Sequence, residues 1–271
     1  MSKWLKMAFV SIPLLLAAYL FGRACQKMGQ AYEVLMSPSK ELLVLLLWFV
    51  LAMAGLSVSA GLVAALVRPP LAAAIPFAVS GVVLLLGWQV SEVSALLAAL
   101  YVLAGIAYSL QTCRELDQRI AFSAEPVGHA QGLLRAALVI VACGSLYLGA
   151  ARQIRREGFR IPEKYTEVMA EQMGKQIAAQ APSAERQEVI TQVREQFQRT
   201  MDGFVETAVE RYGRFIPLLL AASIFTSLLG IANLVAWVPT VALGLLFPVL
   251  TALGITRVTT ETMEVRRLVI E

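Results

Sequence analysis

Asp202, Glu206 and Glu210 recur at intervals of four, a spacing that stacks three carboxylates on one helix face and could in principle hold a cation. Arg199 and Arg214 stand three and four residues outside the row and partly neutralise it, which favours a solvated charged face over a metal site. His129 is the only histidine, so histidine-pair metal sites and HExxH enzymes are excluded. It lies between Gly128 and Ala130 and reads as an exposed loop residue. Cys25, Cys113 and Cys143 are far apart with no CxxC pair, so neither a disulfide framework nor a zinc site is indicated. They read as free thiols, two near membrane ends and one within a span. No GxSxG or GxxxxGK[ST] motif occurs, and the apolar runs hold no pair of facing carboxylates. The sequence therefore argues against an enzyme, and it offers no catalytic residue, metal or cofactor to assign.

The carboxylate row belongs to residues 152–214, the only long polar stretch, which carries half of the chain's charged residues. Within it Tyr165, Val168, Met169, Met173 and Ile177 fall on one side of a helix that opens after Pro162 and ends before Pro182. Ser183 then offers an N-cap, with Glu185 in the first turn of a second, longer helix. On that helix Val189, Ile190, Val193, Phe197, Met201 and Phe204 share one apolar arc. Two amphipathic helices joined by a short Pro-containing turn are expected to close as an αα-hairpin. About 60 residues is little for an independent core, so this arc is the expected interaction face, for a second copy or another membrane protein.

Around this segment the chain reads as membrane. Of its 271 residues 58% are hydrophobic, above the roughly 45–50% usual for soluble domains. The net charge of +4 sits at the edges of apolar runs, which suits membrane flanks and gives no support to nucleic-acid binding. Apolar runs at 7–22, 42–67, 71–88, 93–110, 133–151, 215–234 and 237–254 give about seven spans. The first is short and also has the form of a secretory signal, although Arg23 makes a poor cleavage context. Arg68, Pro69 and Pro70 end the second run abruptly, so runs two and three are expected to form a tight hairpin, and runs six and seven are separated only by Val235 and Ala236. Small residues four apart predict close helix packing at Gly55 and Ser59, Ala60 and Ala64, and Gly61 and Ala65 on the second run, and at Ala95 and Ala99 on the fourth.

The expected fold is thus all-α: a polytopic bundle with membrane helices in 1–151 and 215–255, an extramembrane hairpin at 152–214, and a polar tail at 256–271 suited to a short strand or extended segment. Placing the hairpin inside puts twice as many flanking Lys and Arg in the cytoplasm as the reverse orientation, although Lys3 and Lys6 argue the other way. Cys25 is then expected on the cytoplasmic side and Cys113 outside, where an impermeant reagent would label it. The pattern suits a protein of the lipid bilayer, in a prokaryotic cell membrane, acting as a non-catalytic scaffold or accessory subunit through its hairpin. The alternative is a passive channel or transporter subunit for a small neutral solute, lined by span hydroxyls such as Ser57, Ser80, Tyr101 and Ser145 and by Asn233.

Overall fold

The computed structural model describes residues 3–30, 40–118, 125–157, 200, 203 and 215–254. The hairpin helices, the interaction face formed by Val189, Ile190, Val193, Phe197, Met201 and Phe204, the carboxylate row and the tail at 256–271 lie outside these residues. Among the described residues every regular element is helical: α1 (Lys3–Gln30), α2 (Lys40–Leu66), a 3-10 turn (Pro70–Ala73), α3 (Ala74–Gly87), α4 (Glu92–Asp117), a short α5 (Glu125–His129), α6 (Gly132–Glu157), α7 (Ile216–Leu234) and α8 (Trp237–Ala252). Five helical stretches are long and apolar enough to cross a membrane: Ala8–Gln30, Lys40–Leu66, Glu92–Asp117, Glu125–Arg156 and Ile216–Ala252. Their outward faces are as apolar as their inward ones; on α2 the exposed side carries Leu43, Leu47 and Leu51. A helix hydrophobic on every side belongs in lipid or a large core. α3 has 14 residues, about 21 Å, and the preceding 3-10 turn adds about 8 Å, close to the hydrocarbon thickness of about 30 Å.

Helices α1 and α4 run past the apolar segments that announce them. α1 continues through Arg23 and Lys27 to Gln30, and α4 continues through Arg114 to Asp117. Polar side chains at the ends of a spanning helix reach the interface without breaking backbone hydrogen bonding, so apolar length underestimates helix length. α4 begins sharply because Ser91 caps it: its hydroxyl accepts from the Ser94 amide at 3.1 Å, and the Ser94 hydroxyl accepts from the Ser91 amide at 2.8 Å.

α1 is the hub. It packs against α2, α3 and α6, while α4 packs against α2, α3 and α6 from the other side. Leu14, Ala18, Phe21, Ala24, Cys25 and Met28 of α1 are completely buried. This corrects the expected pairing of the second and third runs: α2 and α3 do not lie side by side, and α1 packs against both. The insertion depends on glycine. A β-carbon on Gly22 would run into the backbone of Leu84 and Gly87, and one on Gly87 into that of Tyr19, so α1 and α3 touch main chain to main chain. Farther along, Phe21 meets Phe49 of α2 with ring centroids 5.7 Å apart.

The last two runs also do not close on each other. α7 packs along α6, whereas α8 packs on α2 and α5. Val235 and Ala236 form a helix-like hydrogen-bonded turn between α7 and α8, Val235 N–H to Ile231 O at 3.2 Å and Val238 N–H to Val235 O at 3.1 Å. The small-residue pairs divide by face. Gly61, Ala60, Ala64 and Ala65 are buried, and a β-carbon on Gly61 would meet Val127 at 3.1 Å and Tyr108 Oη at 3.3 Å. Gly55 faces outward with open space beside it, and Ser59 is buried with its hydroxyl donating to the Gly55 carbonyl at 2.8 Å. Ala95 and Ala99 point away from the bundle, contrary to expectation, because α4 turns Ser94, Leu97, Ala98 and Tyr101 inward.

Candidate functional site

Four of the hydroxyls the sequence offered as a pore lining, Ser80, Tyr101, Ser109 and Ser145, are buried and hydrogen-bonded within the bundle. Ser109 donates to the Gly105 carbonyl at 3.0 Å, and Ser145 donates to the Cys25 carbonyl across the α1–α6 contact. Ser80 donates to the Phe77 carbonyl at 2.8 Å, which leaves Tyr101, 3.0 Å away, to donate to Ser80. Bonds of this kind fasten helices to themselves and to each other.

A second polar knot ties α2, α4, α5 and the start of α6. Tyr108 donates to the Val127 carbonyl at 3.1 Å, and buried Gln131 donates to the Ser57 carbonyl at 3.1 Å and to Tyr108 at 3.4 Å. Tyr108→Phe removes a donor and leaves the buried Val127 carbonyl short of a partner. It is expected to lower stability by about 1–2 kcal/mol, measured by thermal unfolding in detergent; unchanged unfolding would show that the knot is not holding α5.

His129 is exposed as expected, but it ends the short helix α5 and does not lie in a loop. The three thiols are unpaired and buried, Cys25 completely. Cys113 lies beside Arg68, which makes an exposed ion pair with Asp117 at 2.8 Å, a kind of contact worth about 0–1 kcal/mol. Among the described residues no group of three or more His, Cys, Asp or Glu could hold a metal ion.

The feature that sequence reasoning missed is a cleft at the opposite end of the bundle. Helices α1, α3 and α6 run toward it and α4 starts from it. Its volume is about 310 Å³, and its walls include Gln26, Gln30, Trp88, Gln89, Arg152 and Arg156. Its floor is the α1–α6 crossing, where Gly29, Ser145 and Gly149 meet. Among the described residues no carboxylate lines it. Arg152 donates to Gln89 Oε1, and Arg23 donates to Gln26 Oε1 at 2.8 Å. Both amide oxygens are therefore engaged by arginines, and the other end of each of these amides carries N–H donors. Lys27 stands nearby over the Trp48 ring at 5.8 Å. Arg152 and Arg156 were read in the sequence only as flanking charge. Their spacing of four on one helix face was the available signal, but glutamines from two other segments, α1 and the turn between α3 and α4, could not be brought to it without the fold.

An all-helical architecture among the described residues, with five long apolar helices, is compatible with an integral membrane protein. The chain matches no protein-family model, no curated protein and no solved structure.

Proposed function

We propose that the chain is a non-catalytic integral membrane scaffold or accessory subunit that presents residues 152–214 at a membrane surface. In this reading about seven segments cross the bilayer, α3 with its 3-10 turn among them and α8 returning along α2, and the 152–214 end faces the cytoplasm. The observation that carries the proposal is the use of the buried hydroxyls: Ser80, Tyr101, Ser109 and Ser145 are engaged in bonds within the bundle, where a passive pore would need them free to replace water around a solute. The basic character of the cleft end supports the orientation, since Arg23, Lys27, Lys40, Arg152, Arg155 and Arg156 collect there.

Partner binding is assigned to the apolar arc of the second hairpin helix. Phe197→Glu and Phe204→Glu would each place a carboxylate in that face, at a cost of several kcal/mol if it were buried unpaired. The expected result is loss of crosslinked or co-purified assemblies with membrane insertion intact. Solute flux through liposomes containing the purified protein alone, together with assembly unaffected by both substitutions, would favour the pore over the scaffold.

A further inference from the structure

We propose that the cleft between the ends of α1, α3 and α6 and the start of α4 is a binding site for the phosphate headgroup of an anionic lipid. The proposal takes from the reading above only that this end of the bundle meets the headgroup layer. Three features point to an anion. Arg152 and Arg156 lie one turn apart on α6 and both line the cavity, with no carboxylate among the described lining residues. The oxygens of Gln26 and Gln89 are occupied by Arg23 and Arg152, so these amides have N–H groups to give. Trp88 can only donate, whereas Ser145, its proton committed to the Cys25 carbonyl, adds no donor to the cleft. A cavity that offers an indole N–H, the amide N–H groups of Gln26 and Gln89 and two guanidinium groups suits phosphate oxygens, which accept several charge-assisted bonds at once.

The lipid source follows from location. The cleft opens where helices longer than the hydrocarbon core emerge, the level at which basic pockets between membrane helices meet headgroups. Outside it the bundle exposes apolar side chains on which acyl chains can lie, such as Leu86 on α3 and Leu96 on α4. A competing explanation is that the arginines only offset the partial negative charge at the C-termini of α1, α3 and α6. That role would stabilise the helices in any lipid, and it gives no reason for the amide oxygens to be turned away.

The test uses the full chain purified in a mild neutral detergent and titrated with phosphatidylglycerol, phosphatidylcholine or inorganic phosphate, with bound lipid counted by native mass spectrometry and thermal unfolding followed in parallel. Phosphatidylglycerol is expected to bind and raise the unfolding temperature, and phosphatidylcholine to do neither. Arg156→Gln, at an exposed position, is expected to weaken phosphatidylglycerol binding about tenfold, and Arg152→Gln with Arg156→Gln to abolish it. Arg155→Gln, on the same turn but outside the cleft, is expected to leave binding unchanged. Equal loss with Arg155→Gln would reduce the effect to general surface charge and overturn the site. Stabilisation by inorganic phosphate equal to that by the lipid would overturn the lipid source. Displacement of the lipid by a glutamate-rich peptide that binds more tightly would make the cleft a protein-docking site. Loss of stability in the arginine variants that is the same with and without lipid would leave only the helix-dipole role. Because partner assembly is read separately through Phe197 and Phe204, failure here and failure of the scaffold reading give different results.

Discussion

Gly149→Leu is expected to prevent α1 and α6 from docking and to yield protein that inserts but does not hold a stable bundle. A β-carbon at this position would collide with the Gly29 main chain, whose Cα would be only 2.7 Å away. Gly29 is held in turn, since its own β-carbon would stand 3.0 Å from the Ser145 carbonyl oxygen. Main chain cannot swing aside as a side chain does, so the helices must separate and the bond from Ser145 to the Cys25 carbonyl goes with them. The cost is expected at or above the top of the range of about 1–3 kcal/mol for overpacked cores. The buried thiols report it without a label, because a thiol-reactive dye reaches Cys25 only when the bundle opens. Gly149→Leu should therefore react at a markedly lower temperature than the wild type, and Gly55→Leu, with open space beside it, should not. Coincident unfolding of wild type and Gly149→Leu would show that the α1–α6 crossing does not hold the bundle.

Membrane orientation is expected to appear as a near all-or-none contrast between two introduced thiols. Treated as reporters, Cys25 and Cys113 promised protection on one side and labelling on the other, but both are buried and neither is expected to react in the folded protein. Arg114 and Arg155 are exposed at opposite ends of the bundle, and the silent native thiols leave a clean background. With the cleft end inside, an impermeant maleimide on intact cells should label Arg114→Cys and spare Arg155→Cys until the membrane is permeabilised. The opposite pattern would put the cleft and residues 152–214 outside.

What the sequence disclosed follows from what its signals report. Apolar runs and the Arg68, Pro69 and Pro70 break locate helices and their separations, because hydropathy and backbone stereochemistry are local. Neighbour relations were not legible from hydropathy, since a side facing lipid is as apolar as one facing protein: Leu47 and Leu56 on α2 are chemically alike, yet one is exposed and the other buried. Proximity in sequence suggested that α2 would pair with α3, and they do not lie side by side; nor do α7 and α8, which only two residues separate. Small residues were the better guide where they touch main chain. Gly22 and Gly29, seven apart on α1, mark its contacts with α3 and α6, although nothing in the spacing separates them from Ala95 and Ala99, which face outward. The cleft was hidden for a related reason: its glutamines come from the ends of separate helices, and only the fold makes them one surface.

The central place of α1 has a consequence for how the chain is made. α1 precedes the other described helices in the chain, yet the bond from Ser145 to the Cys25 carbonyl joins residues 120 positions apart. During synthesis α1 enters the bilayer with its glycine-bearing side unmatched, and it must wait while α2, α3 and α4 follow. Assembly is then a step separate from insertion, completed only after α6 arrives. Until then the face of α1 around Gly29 lacks the α6 backbone that Gly149 lets approach it.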